Sequence, residues 1–236
     1  EPRRPFGNAP VKRVEDIIAN YGDQLGKNLL SQAKTVLDNR DAWNNNGLRP
    51  KQITLPAATG VEKFLVSRRS VRAFGSNKQI SDIELEQVIA LAVQAPSVSN
   101  TQSWSVRAYR DAQDISDILK LQNGNVGNSP IPVLLVITVD LRNFTGSNER
   151  NQMWIDGGIF LQQLLLSIHA LGWASCPMNF SSTNKQANKL RKLADIASYE
   201  EIICFVSVGE EDREIVPAPS IRKPVQDVLR IEKLGN

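Results

Sequence analysis

Between Val66 and Arg72 the chain reads V-S-R-R-S-V-R, with Arg68, Arg69 and Arg72 interleaved with Ser67 and Ser70. Guanidinium groups bind phosphate through paired, planar hydrogen bonds, each worth about 1.5–3 kcal/mol when charge-assisted. Side chains alternate along an extended segment. Arg68, Ser70 and Arg72 then share one face and Arg69 takes the other, which predicts an anion grip built on the first three. Spacing alone also allows a solvated basic surface. Two later stretches supply complementary chemistry. Ala95 to Trp104, A-P-S-V-S-N-T-Q-S-W, offers the neutral hydrogen-bonding groups of Asn100 and Gln102. Pro217 to Pro224 presents Arg222 in a proline-stiffened loop. Together the three stretches suggest closure around one phosphate-bearing cofactor.

The remaining inventory excludes much other chemistry. The sole histidine, His169, rules out HExxH zinc sites and multi-histidine metal cages within one chain. It sits in an apolar run with no nucleophile elbow nearby, so the expectation is a packed or hydrogen-bonded helix residue, not a catalyst. Cys176 and Cys204 lie in apolar company without CxxC spacing and read as buried free thiols, which fits a reducing, cytoplasmic setting. No GxGxxG follows a strand, which argues against a Rossmann site, and no GxxxxGK[ST] is present, which excludes a P-loop. The net charge is +3 over 236 residues, with the basic excess confined to residues 1–72. Without aromatic-rich basic motifs, this is no nucleic-acid surface. The most apolar run, Ile155 to Ala174, contains Asp156, Gln162, Gln163 and His169, which points to a buried helix and away from a membrane span.

The elements that must position these residues follow from periodicity and punctuation. With 41% apolar residues the chain can build a sizeable core. Val14, Ile17, Ile18 and Tyr21 mark a short amphipathic helix, and Asp23 starts a second one carrying Leu29, Leu30, Ala33, Val36 and Leu37. Asn44 to Gly47 stops it, and the proline-bearing stretch from Leu48 to Gly60 reads as a linker. Residues 1–58 therefore form a helical extension, either padding the core or a partner subunit or acting as a lid. The main domain is 59–236. Gly60 to Ser67 reads as a short helix, and Ser81 to Glu84 as a capping box opening a helix that Pro96 ends. Strands are expected at Ser105–Tyr109, Pro132–Val139, Trp173–Phe180 and Ile202–Val208, with Val225–Glu232 as a further edge strand. Helices are expected at Asp111–Leu121, Asn151–Leu171 and Thr183–Ala194. The Asn151–Leu171 helix is apolar nearly all round and so must be covered on every side, and Gly157-Gly158 would let another element approach closely. Trp104 reads as a packing residue.

In order along the chain, R-R-S-V-R-A-F, the capped helix, A-P-S-V-S-N-T-Q-S-W, D-G-G-I-F-L-Q-Q-L-L-L-S-I-H-A-L-G-W, C-P-M-N-F, V-S-V-G and P-S-I-R-K-P resemble the landmarks of the FMN-dependent nitroreductase family. The resemblance covers residues 61 to 232. It implies an α+β fold, a central and mainly antiparallel sheet flanked by helices, in an intertwined homodimer with FMN at the interface. By motif position Arg68 and Arg222 would hold the FMN phosphate, with Arg69 and Ser70 at the same end. Arg72 would face the pyrimidine edge of the flavin. Pro96, Ser97, Val98 and Asn100 would come from the other subunit, and Pro177, Met178 and Asn179 would lie along the ring, with a backbone amide at N5. Three positions depart from the pattern. Ser103 stands where many members have Pro, Ser220 where a Lys is frequent, and the Asn/Gly-rich residues 123–128 replace a longer loop. The S-V-S-N-T-Q-S-W form is similar to members found among bacterial polysaccharide-synthesis proteins.

The implied activity is ping-pong electron transfer from NADH or NADPH through FMN to a small oxidised acceptor, nitroaromatic or quinone-like. No protein acid or base is required, and no metal. The alternatives are the same scaffold acting on a specific biosynthetic intermediate by dehydrogenation, dehalogenation or flavin fragmentation, and a non-enzymatic protein that has lost FMN.

Overall fold

The computed structural model describes residues 8–24, 26–27, 30–31, 33–35, 37–38, 60–75, 78–125, 130–215 and 220–234. Two compact units emerge, one formed by Thr54–Pro217 and the other by Glu1–Ile53 with Ala218–Asn236.

Within Glu1–Ile53, helix α1 spans Asn8–Tyr21 and runs into a 3-10 turn at Gly22–Gln24. The described residues of the second expected helix, from 27 to 38, are helical. Leu29, Val36, the stop at Asn44–Gly47 and residues 48–59 of the linker lie outside the described residues. Within Ala218–Asn236, the expected edge strand at Val225–Glu232 is not formed. Val225–Asp227 is a 3-10 turn, residues 228–234 carry no strand, and Val225, Val228, Leu229 and Ile231 are exposed. Apolar alternation alone makes no strand; a strand needs an edge to pair with.

The unit Thr54–Pro217 is built on a four-stranded sheet: β1 (Trp104–Tyr109), β2 (Val133–Asp140), β3 (Ala174–Asn179) and β4 (Glu200–Gly209), in the order β1-β2-β4-β3 with every neighbour antiparallel. Every residue of β2 from Val133 to Val139 is buried, as a continuous β-branched and aliphatic run demands. Its side chains alternate between two cores. Val133, Leu135 and Ile137 join Val206, Val208, Phe160, Leu164 and Ile168 on one face, and Leu134 and Val136 join Ile118, Leu190 and Phe205 on the other.

Helix α2 covers Val61–Ser67, α3 Asp82–Ala92, α4 Ala112–Leu119, α5 Gln152–Ala170 and α6 Asn184–Leu193. Local signals start most of them. Ser81 and Glu84 form the reciprocal capping box of α3, Thr183 and Gln186 form another for α6, and Asp111 caps α4 through the amides of Gln113 and Asp114. Helix α5 ends where Gly172 adopts a φ of 80°, and the Trp173 amide then donates to the Ile168 carbonyl. That turn feeds the chain into β3.

Helix α5 carries the first core, with α3 packed along it and the Trp104 ring stacked on Phe160 at 4.8 Å. Trp104 thus packs, as its sequence setting suggests. Gly157 lies against β4, where an added Cβ would come within 2.8 Å of Ile203 Cγ1. The expectation of cover on every side is met only in part by this one chain. Trp154, Ile155 and Ile159 are 47%, 52% and 38% exposed, and nothing lies within 4 Å of a Cβ added to Gly158.

Candidate functional site

The arginine segment leaves the C-terminus of α2 in extended conformation, with Arg68 at φ −62° and ψ 126°. It lies beside β3 and the end of β4. Ser70 bridges Ser175 in parallel, Phe74 bridges Glu211 antiparallel, and the Val71 amide donates to the Ser175 carbonyl at 2.9 Å. The Asp212 amide donates to Ala73 at 3.1 Å and the Gly75 amide to Glu210 at 3.0 Å. Gly209 permits this close course, because a Cβ there would stand 2.8 Å from both Phe74 Cδ1 and Pro132 Cγ.

The alternation expected from the sequence appears around Cys176. Burial pushes the Cys176 thiol up, and Arg72, the Ser70 hydroxyl and Arg68 all pull it back. Arg69 turns elsewhere and pairs with Glu211 at 3.0 Å. Ser70 lies against the start of β3, with Arg68 and Arg72 near enough to act on the Cys176 thiol, and Arg69 shares with Arg68 an influence on His169. Pro177 is half-buried, Asn179 is exposed at the strand end, and the Met178 side chain is buried in the second core, so that residue offers its backbone. Cys176 and Cys204 are free and buried, and burial holds the Cys204 thiol at about 11.

The second stretch is held at a different place. Pro96 and Ser97 lead into a 3-10 turn at Val98–Asn100. Ser99, Asn100 and Gln102 have φ of 48°, 55° and 48°, a left-handed conformation that costs non-glycine residues and clusters at functional sites. The turn is fixed by Asp156 of α5, a carboxylate only 1% exposed that accepts from the Val98 amide at 3.2 Å and from Gln152 Nε2 at 2.8 Å. The Ser97 hydroxyl accepts from the Gln102 amide at 3.0 Å, and Gln102 Nε2 donates to Asn100 Oδ1 at 3.1 Å. On its far side Gln102 borders an apolar cavity of about 380 Å³ between α3, β1 and Phe160; no residue of the arginine segment lines it.

Helix α5 relates the two stretches. Asp156 near its N-terminus holds Val98, whereas His169 in its last turn meets Ser67. At 1.5 Å per residue these anchor points are about 20 Å apart along the axis. One chain thus brings the arginine segment to β3 and keeps the Pro96–Asn100 loop at the opposite end of α5. Arg222 belongs to the unit containing Ala218–Asn236, where its Nη1 donates to the Ser220 carbonyl at 3.1 Å.

Asp156, Ser67 and Glu211 are not among the residues expected from the sequence to serve the site. A lone carboxylate in an otherwise apolar helix was the available signal for Asp156, since such a charge is buried only when it is held. Ser67 and Glu211 depend on contacts far along the chain and carry no local signature. Among the described residues, no group of three or more His, Cys, Asp or Glu gathers to hold a metal ion.

A mainly antiparallel sheet with helices on both faces and an arginine segment laid on β3 defines a class, and comparison with known proteins identifies it. The model of the Nitroreductase family matches residues 65–130 and 129–210. The chain belongs to that family. It is 25% identical over 214 residues to a 4-nitrobenzoate reductase of Pseudomonas putida, covering 69% of this chain and 90% of that protein. Its fold is that of a nitroreductase-family protein of Streptococcus pneumoniae, with a TM-score of 0.63 at 18% identity over 73% of this chain and 100% of that one. It is equally similar in fold to a Staphylococcus epidermidis protein described as an NAD(P)H:FMN oxidoreductase, with a TM-score of 0.64 at 18% identity over 75% of this chain and 98% of that one. None of these relatives links the chain to polysaccharide synthesis.

Proposed function

We propose that the chain is an NAD(P)H-dependent oxidoreductase that binds FMN and reduces a small oxidised organic acceptor, nitroaromatic or quinone-like. The observation that carries this reading is the course of the arginine segment along β3, held by the Ser70–Ser175 bridge and the Val71 amide, in a member of a family whose named relatives include a 4-nitrobenzoate reductase. The donor set fits FMN. Guanidinium and hydroxyl groups suit a phosphate, and a further cation suits a ring that gains negative charge.

Bound FMN would supply reversible two-electron transfer through its N5, filled from NADH or NADPH and emptied into the acceptor in turn. The chain's own part is binding, orientation and exclusion of water. Arg68 and Ser70 would hold the phosphate, a role that the family resemblance gives to Arg222 as well. Arg69, anchored on Glu211, lines the same end. Arg72 neutralises the pyrimidine edge. Pro177, Asn179 and the Met178 backbone lie along the ring. Pro96, Ser97, Val98 and Asn100 come from a second copy of the chain, because their own arginine segment lies at the far end of α5. The exposed stripe of Trp154, Ile155 and Ile159 is the contact through which two copies pair. The proposal takes 59–236 as the FMN-binding domain and 1–58 as an extension. No described helix is long and apolar enough to cross a membrane, and the setting proposed is cytoplasmic.

The visible spectrum of the purified protein tests this. Oxidised-flavin bands, FMN identified by mass after release, and oxidation of NADH or NADPH coupled to a nitroarene or quinone are expected. A colourless protein that takes up no FMN at high excess overturns the proposal.

A further inference from the structure

His169 lies outside every stretch assigned to the flavin, yet it meets the residue immediately before the phosphate grip. Its Nε2 is 2.8 Å from Ser67 Oγ, and its ring stacks on Phe64 with centroids 5.1 Å apart. Ser67 is the last residue of α2, and Arg68 follows it as the first extended residue. The Ser67 hydroxyl also lies 2.9 Å from the Phe64 carbonyl, so it joins the His169 ring to the backbone of α2, with the direction of the Ser67–His169 hydrogen bond set by the ring tautomer. The last turn of α2 is thereby tied to the last turn of α5, which is itself fixed in the first core by Ile168 and Leu165.

The charges around the ring are known. Burial lowers the His169 imidazole below its ordinary value, Arg68 and Arg69 push the same way, and the Phe64 backbone and Glu211 push back. The shift favours the neutral ring, which stands close enough to Arg68 to sense its charge.

We infer that His169 is a positioning residue for the phosphate grip: through Ser67 it fixes the direction in which Arg68 leaves α2. The inference rests on the FMN reading above and assigns His169 no contact with the flavin and no proton in the reaction. A tie of this kind acts on the phosphate end of the cofactor and leaves the ring end alone.

FMN and riboflavin share the ring and differ by the phosphate, so their binding to the purified chain separates the two ends. Dissociation constants come from quenching of flavin fluorescence. His169→Ala should weaken FMN about tenfold, the equivalent of one lost hydrogen bond, and leave riboflavin unchanged. His169→Gln, whose amide can still hydrogen-bond to Ser67 Oγ, should recover most of the FMN affinity. Ser67→Ala removes only an exposed hydroxyl and should reproduce the His169→Ala loss, which keeps the test open if the alanine at 169 fails to fold. Because the chain has one histidine, its imidazole NMR signals need no assignment. Its titration should move to higher pH when FMN binds and stay put with riboflavin. Equal losses for the two ligands, unchanged FMN affinity in Ser67→Ala, or a titration indifferent to FMN overturns the inference while leaving the cofactor reading intact. A wild-type chain that binds riboflavin and FMN equally removes the phosphate grip and this inference with it. One that binds neither removes the cofactor reading as well.

Discussion

Arg72 is exposed at the end of a segment whose other two grip residues, Arg68 and Ser70, are half-buried. Those two suit a group held permanently, whereas a cation at the ring edge suits a group whose charge changes during turnover. Arg72→Gln should therefore lower the midpoint potential of the bound flavin by tens of millivolts, 30 mV being about 1.4 kcal/mol for a two-electron couple. Spectroelectrochemical titration reads this directly, and an unchanged potential would remove Arg72 from the ring. The extended course of the arginine segment was legible in the sequence because dense, alternating donors act locally. The ion pair of Arg69 with Glu211 was not, since its partners stand 142 residues apart. Nor was the left-handed backbone at Ser99, Asn100 and Gln102, where no glycine flags it.

The elements themselves were largely legible, for a physical reason. Capping residues and buried β-branched runs act within a few positions, so α3, α5, β2 and β4 announce their own ends. The register shift between Ile137 and Thr138 and the missing strand at Val225–Glu232 depend on what lies alongside, which no local pattern encodes. The paired glycines of α5 give a prediction at this scale. In Gly157→Ala the new methyl meets Ile203 at 2.8 to 3.1 Å, and overpacking of this kind costs about 1–3 kcal/mol, visible as a lowered Tm. Gly158→Ala meets nothing within its own chain and should leave the helix as stable or slightly more so, since alanine is the better helix former, with any cost falling on the pairing of two copies. A matched loss at both positions would contradict this account of the helix surface.

At the scale of the molecule, one chain has both halves of the proposed site but keeps them at opposite ends of α5. Replacing Ile155 by Glu places a charge in the middle of the exposed stripe. Burial of such a side chain is worth about 1.5–3 kcal/mol, so Ile155→Glu should weaken self-association by at least tenfold. Light scattering should then find monomers, and flavin content should fall with them. Persistent dimers with full flavin would place the subunit contact elsewhere.

Ile155 and Asp156 are consecutive. The first faces outward, and the second is buried and clamps Val98. The proposed docking surface and the loop anchor therefore share one rigid rod with no hinge between them. A partner seated one helical turn out of place would carry the loop about 5.4 Å away from the opposing arginines, further than any hydrogen bond can stretch. Misaligned pairs would lose the cofactor as well as the fit. Cofactor retention would thus act as a check on correct assembly, written into two neighbouring residues.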